Sequence, residues 1–125
     1  MGDTINFSGQ FSQSIINVKN TMTNVSQSVG TLPRMDAGNK EELQTLIDKL
    51  GALLEGVGAA KPEEAETVAA QTKALVDMTK QEKPNKTMLQ VTMSGLKQAV
   101  DTIADIAPAA VTIASRIAEI VAAVF

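Results

Sequence analysis

Asn39-Lys40-Glu41-Glu42-Leu43-Gln44-Thr45-Leu46-Ile47-Asp48-Lys49-Leu50-Gly51-Ala52-Leu53-Leu54-Glu55-Gly56-Val57 is the stretch on which the fold class turns. Leu43, Leu46, Ile47, Leu50, Leu53, Leu54 and Val57 recur at intervals of three and four, so they share one face of a helix and leave the charged residues on the other. Asn39 followed three residues later by Glu42 has the form of a capping box, in which each side chain satisfies a backbone donor of the other's turn. The spacing predicts a helix over 40–57.

Working toward the C-terminus, Gly56, Gly58 and Pro62 stop this helix and start another over 62–81. Glu63, Glu64 and Glu66 suit the positive end of its dipole, and Ala65, Val68, Ala69, Thr72, Leu75, Val76 and Thr79 form its apolar face. So short a connection folds the two helices back on each other. Lys83-Pro84-Asn85 repeats the stop and start signals, and a third helix is expected over 85–106, burying Met88, Leu89, Met93, Leu96, Val100, Ile103 and Ile106. Pro108 removes a backbone donor and opens a last helix over 108–125. From Ala107 to Phe125 the only charged side chains are Arg116 and Glu119, so this segment is expected at the centre of the bundle, sheathed by the others.

Toward the N-terminus the composition changes. Residues 2–32 are rich in Ser, Thr, Asn and Gln, with Asp3 and Lys19 their only charged side chains. Thr4-Ile5-Asn6-Phe7-Ser8-Gly9 alternates apolar and polar residues as a short strand does, and Ser14-Ile15-Ile16-Asn17-Val18 is a matching partner. A helical seam competes, since Phe11, Ile15, Val18, Met22, Val25, Val29 and Leu32 are spaced by four and three. Thr, Val, Asn and Ser favour strands and turns, so the reading adopted is a hairpin to Val18 and then a helix from Asn20 to Gly30. The expected organisation is a polar arm over 1–33, short strands then helix, and an antiparallel four-helix bundle over 34–125. The fold class is mainly α with a short N-terminal β-hairpin or extended arm.

Composition removes whole classes of function. The chain has 125 residues with neither Cys nor His, which excludes thiolate chemistry, disulfides, Cys-ligated metals and imidazole bases. Net charge is −3 with Lys and Arg scattered singly, the opposite of a phosphate-binding stripe, so no nucleic acid is expected as a partner. The acidic, polar start Met1-Gly2-Asp3-Thr4 has no apolar run of the secretory type, and a cytoplasmic location is expected.

Each chemical motif has a plainer explanation. No Ser or Thr has a base at motif spacing, and Gly51, Gly56 and Gly58 lack the Lys and hydroxyl residue of a phosphate loop, reading instead as helix terminators. Glu63, Glu64 and Glu66 are a solvated first turn, and Asp101 with Asp105, one helical turn apart, lacks the further ligands a metal needs. Met22, Met35, Met78, Met88 and Met93 read as core filler. No catalytic, metal or cofactor residue is therefore expected, and the chain is read as a non-enzyme.

What remains is association. The candidate interface residues are Phe7, Phe11, Ile15, Val18, Met22, Val25 and Val29 on the arm, and Ile113, Ile117, Ile120, Val121, Val124 and Phe125 on the C-terminal helix. The expected function is self-association or adaptor binding to other protein domains, the homo-oligomer being preferred. The alternative is a membrane-active protein that inserts its apolar tail, opposed by Arg116 and Glu119, since a charge at mid-bilayer is costly.

Gly2-Asp3-Thr4-Ile5-Asn6-Phe7-Ser8-Gly9, the run Ile16 to Val25, Lys83-Pro84-Asn85-Lys86-Thr87-Met88-Leu89-Gln90 and Gly95-Leu96-Lys97 together resemble accessory helical modules of multidomain bacterial signalling or defence proteins. The resemblance covers about a third of the chain and implies an accessory role in a larger assembly.

Overall fold

The computed structural model describes residues 2–33, 35–80 and 85–124, with side chains from Ile15 onward. Among these residues there are five helices and no strand: α1 Gly2–Val29, α2 Ala37–Gly58, α3 Pro62–Met78, α4 Lys86–Asp101 and α5 Ala109–Ala122.

The N-terminal hairpin is replaced by a single helix. α1 runs through both segments expected to be strands, and Asn20, expected to begin a helix, is an exposed interior position. The four-and-three seam wins over β propensity because it places Val18, Met22, Val25 and Val29 in one buried stripe, continued by Leu32 in the following turn. Burial of one apolar face outweighs the fraction of a kcal/mol by which Thr, Val and Asn disfavour a helix, roughly 0.7 kcal/mol at most per residue. Phe7, Phe11 and Phe125 lie outside the residues whose side chains are described.

α1 and α2 pack antiparallel at close range. Met22 sits opposite Gly51 and Ile15 opposite Gly58, so residue numbers fall along one helix as they rise along the other. Gly51 is thus a mid-helix contact and not a terminator: a Cβ built there would lie 3.2 Å from Met22 Cβ. Gln44 Nε2 bridges the same pair by donating to the Ser26 carbonyl at 3.0 Å. Leu32 and Met35, both buried, pin the connecting turn to the core.

α2 begins three residues earlier than the capping box suggested. Asp36 is the N-cap, its Oδ1 accepting from the Asn39 backbone N–H at 2.9 Å. Asp is as good a cap as Asn, and using it frees Glu42 for an ion pair described below. Leu43, Ile47, Leu50, Leu54 and Val57 are fully buried, while Leu46 and Leu53 pack at the edge of the core. On α3 all seven residues of the expected apolar face are buried, and the hydroxyls of Thr72 and Thr79 are satisfied by the Val68 and Val76 carbonyls.

The centre of the bundle is occupied by α2 and α3, and not by the C-terminal helix. α2 packs on α1, α3 and α5, and α3 on α1, α2 and α4. α5 is a flanking helix with one buried row, Ala110, Ala114, Ile117, Ile120 and Val121, and an exposed row that includes Thr112, Ser115, Arg116 and Glu119. The small alanines let it lie close against its neighbours, so a narrow row suffices to seat it. Its large apolar side chains are buried or half-buried against the chain itself. No described helix is long and apolar enough to cross a membrane.

α4 stops at Asp101, five residues short of expectation. Beyond it Thr102 Oγ1 donates to the Ala99 carbonyl at 2.6 Å, and successive i→i+3 backbone bonds tighten the chain. Proline at 108 disfavours helical geometry in the residue before it, which resolves the segment into a turn. Ile103 stays buried, whereas Ile106 is 44% exposed and leaves the core.

Candidate association surface

Two sets of polar contacts lock the bundle and account for most of the ion pairs between elements. Arg116 on α5 grips Glu42 on α2 with two parallel bonds, Nε to Oε2 at 2.6 Å and Nη2 to Oε1 at 2.9 Å, while Nη1 reaches Glu119 at 3.1 Å. The paired guanidinium holds the Glu42 carboxyl below the usual glutamate range, and both carboxylates hold Arg116 above the usual arginine value. At the other end Lys61 Nζ donates to the Thr102 carbonyl at 2.7 Å and to Asp105 at 3.1 Å, drawing the Asp105 carboxyl down. The charges of the C-terminal segment and of the α4–α5 turn are therefore structural clamps.

The residues weighed for chemistry do not converge. Among the described residues no three acidic side chains are grouped to hold a metal ion. Asp101 ends α4 while Asp105 lies in the turn after it, bound to Lys61, so the two no longer share a helix face. Glu66 accepts a 3.5 Å hydrogen bond from Asn17 of α1. No buried side-chain nitrogen or oxygen among the described residues lacks a partner.

The association candidates separate into two groups. Val18, Met22, Val25, Val29, Ile117, Ile120 and Val121 lie in the core of their own chain, and Ile15, Ile113 and Val124 are half-buried against it. These residues hold one chain together. Among the described residues the large apolar side chains left facing water are Ile16, Met88, Val91 and Ile106, and two of the four, Met88 and Val91, stand one turn apart on α4.

α4 is an edge helix. Leu89, Leu96, Ala99 and Val100 face the core, and Asn85 caps the helix by accepting from the Thr87 and Met88 backbone N–H groups at 2.9 and 3.2 Å. Its outer face carries Thr87, Val91, Ser94 and Gln98, all exposed and none charged, with Val91 59% exposed. Met88, expected in the core beside Leu89, is instead 52% exposed, while Met22, Met35 and Met78 are buried as expected. Adjacent apolar residues on a helix lie about 100° apart, so only one of Met88 and Leu89 could be central to the buried face.

Depressions flank this helix on both sides. One, of about 430 Å³, runs between α4 and α5 and is lined by Gln90, Met93, Lys97, Ala114, Ser115 and Ala118. The other, on the α3 side, is formed where Gln71 lies against Gly95, next to Val91, Ser94 and Gln98. Among the described residues Lys97 is the only titratable side chain in either lining, so these surfaces suit packing and neutral hydrogen bonds. Val91 escapes notice in the sequence because the buried period of α4 passes it by; the available signal was that same period, which puts Thr87, Val91, Ser94 and Gln98 opposite the core. No protein-family model, no curated protein and no solved structure matches this chain.

Proposed function

We propose that this chain is a non-enzymatic self-association module. The supporting observation is the outer face of α4, where Met88 and Val91 stand in solvent among uncharged side chains. Exposing a methyl-rich side chain forgoes about 25 cal/mol for each Å² that a partner would cover. A mixed apolar and amide surface free of charge is the composition of the central part of protein interfaces, whose rims are polar and whose cores are depleted in charge. Two shallow grooves beside the same helix offer receptive surface for a partner's side chains.

The test is the mass in solution over a wide range of concentration, followed by light scattering with refractive index because the chain has no Trp or Tyr. The wild type is expected above its 13.1 kDa chain mass, and Val91→Glu is expected to shift it toward that mass while the far-UV spectrum stays helical. A wild-type chain that keeps its monomer mass throughout would rule out self-association.

A further inference from the structure

Resting on the self-association reading, we infer that the partner surface is α4 of a second copy, packed antiparallel about a twofold axis near Val91 and Ser94. The charges at the two ends of α4 are placed against its helix dipole. Lys86 occupies the first turn of α4 and Asp101 its last position, so a cation sits at the positive end and an anion at the negative end. α3 shows the favourable arrangement, with Glu63 and Glu64 in its first turn. Among the described residues neither Lys86 nor Asp101 belongs to an ion pair: Lys61 is engaged by Asp105 and the Thr102 carbonyl, and Lys97, one turn before Asp101 on α4, makes no salt bridge to it.

An antiparallel copy removes both mismatches at once. Lys86 then lies beside the negative end of the neighbouring α4 and within reach of its Asp101, and the twofold axis repeats the pair. The two residues are fifteen apart, which puts them about 22 Å from each other along the axis and on the same flank of the helix. The charges therefore mark the two ends of a contact whose seam residues, Thr87, Val91, Ser94 and Gln98, are uncharged, with Lys97 on the flank between them. Along that seam, Thr87 faces the copy's Gln98 and Val91 faces the copy's Ser94, the four-three-four spacing of an antiparallel helical contact. The small Ser94 side chain leaves room for Val91.

Charge reversal tests this directly. Lys86→Asp and Asp101→Lys each place like charges opposite each other across the dimer, and each is expected to weaken dimerisation by roughly tenfold or more. The double variant restores opposite charges and should return close to the wild-type dissociation constant. Both single changes also bring α4 into line with its own dipole, so the monomer's melting temperature should hold or rise; a loss of dimer cannot then be laid to misfolding. Because the chain has no Cys, Ser94→Cys offers a clean second reading: a short bis-maleimide should join it to its copy, while the exposed Ala52→Cys on α2 should remain unlinked. If the wild type dimerises, yet neither reversal weakens it and Ser94→Cys does not crosslink, the α4 assignment is overturned and self-association stands by another surface. If the wild type is a monomer throughout, both fall.

Discussion

Two glycines in one helix provide the sharpest test of how α1 is seated. Gly51 and Gly56 both lie in α2, and neither has a positive φ. Each can therefore accept alanine without backbone strain, and each change should gain about 0.5–1 kcal/mol from helix propensity. The surroundings differ. A Cβ at Gly56 meets nothing within 4 Å, whereas at Gly51 it comes to 3.2 Å from Met22 Cβ, the root of a side chain, which can retreat only if α1 itself moves. Overpacking of this kind costs roughly 1–3 kcal/mol. Gly56→Ala should thus stabilise by the full propensity gain, and Gly51→Ala should end between about neutral and 2 kcal/mol less stable than wild type. The gap between them, roughly 1–3 kcal/mol, corresponds to several degrees in a domain of this size. Urea unfolding followed by far-UV circular dichroism measures it. An equal gain from both substitutions would show that α1 does not lie against α2 at Gly51, and the antiparallel packing of the two helices would be refuted.

Two further predictions concern the clamps and caps. Glu42 and Asp105 carry carboxyl groups held below their ordinary values of 4.5 and 3.8, so the folded state favours their ionised forms. The resulting stability is present above those values and is lost as pH falls through and below them; Arg116→Gln should therefore lower stability at neutral pH and flatten the acid limb below about pH 4.5, the two proteins converging in acid, and an unchanged acid limb would deny the clamp. Asn85→Ala removes the acceptor for two backbone donors at the start of α4 and should cost about 0.5–2 kcal/mol by chemical denaturation, whereas Asn85→Asp should cost little; equal losses from the two would count against the cap.

The chain's own pattern was sufficient for the helices that face the core with a single clear period. Leu43 to Val57 and Ala65 to Thr79 could be assigned from spacing alone, because each apolar row lies within one arc of a helix and any other conformation would scatter it. Asn85 and Pro62 marked two helix starts for the same local reason. α1 was ambiguous because its residues prefer strands while its spacing prefers a helix, and only the presence of α2 and α3 to receive Val18, Met22, Val25 and Val29 decided between them. Gly51 reads as a helix end until a second helix is seen crossing it.

The association face was less legible still. An exposed valine and an exposed methionine look like core residues in one dimension, and the apolar segment from Ala107 onward looks more like an interface than α4 does. Local sequence could determine that this chain is helical, where its central helices run and which chemistries it lacks, since those follow from backbone periodicity and side-chain inventory. Which apolar residues are spent on its own core and which are left outside depended on the order in which the helices stack, because a helix can bury only the faces its neighbours cover.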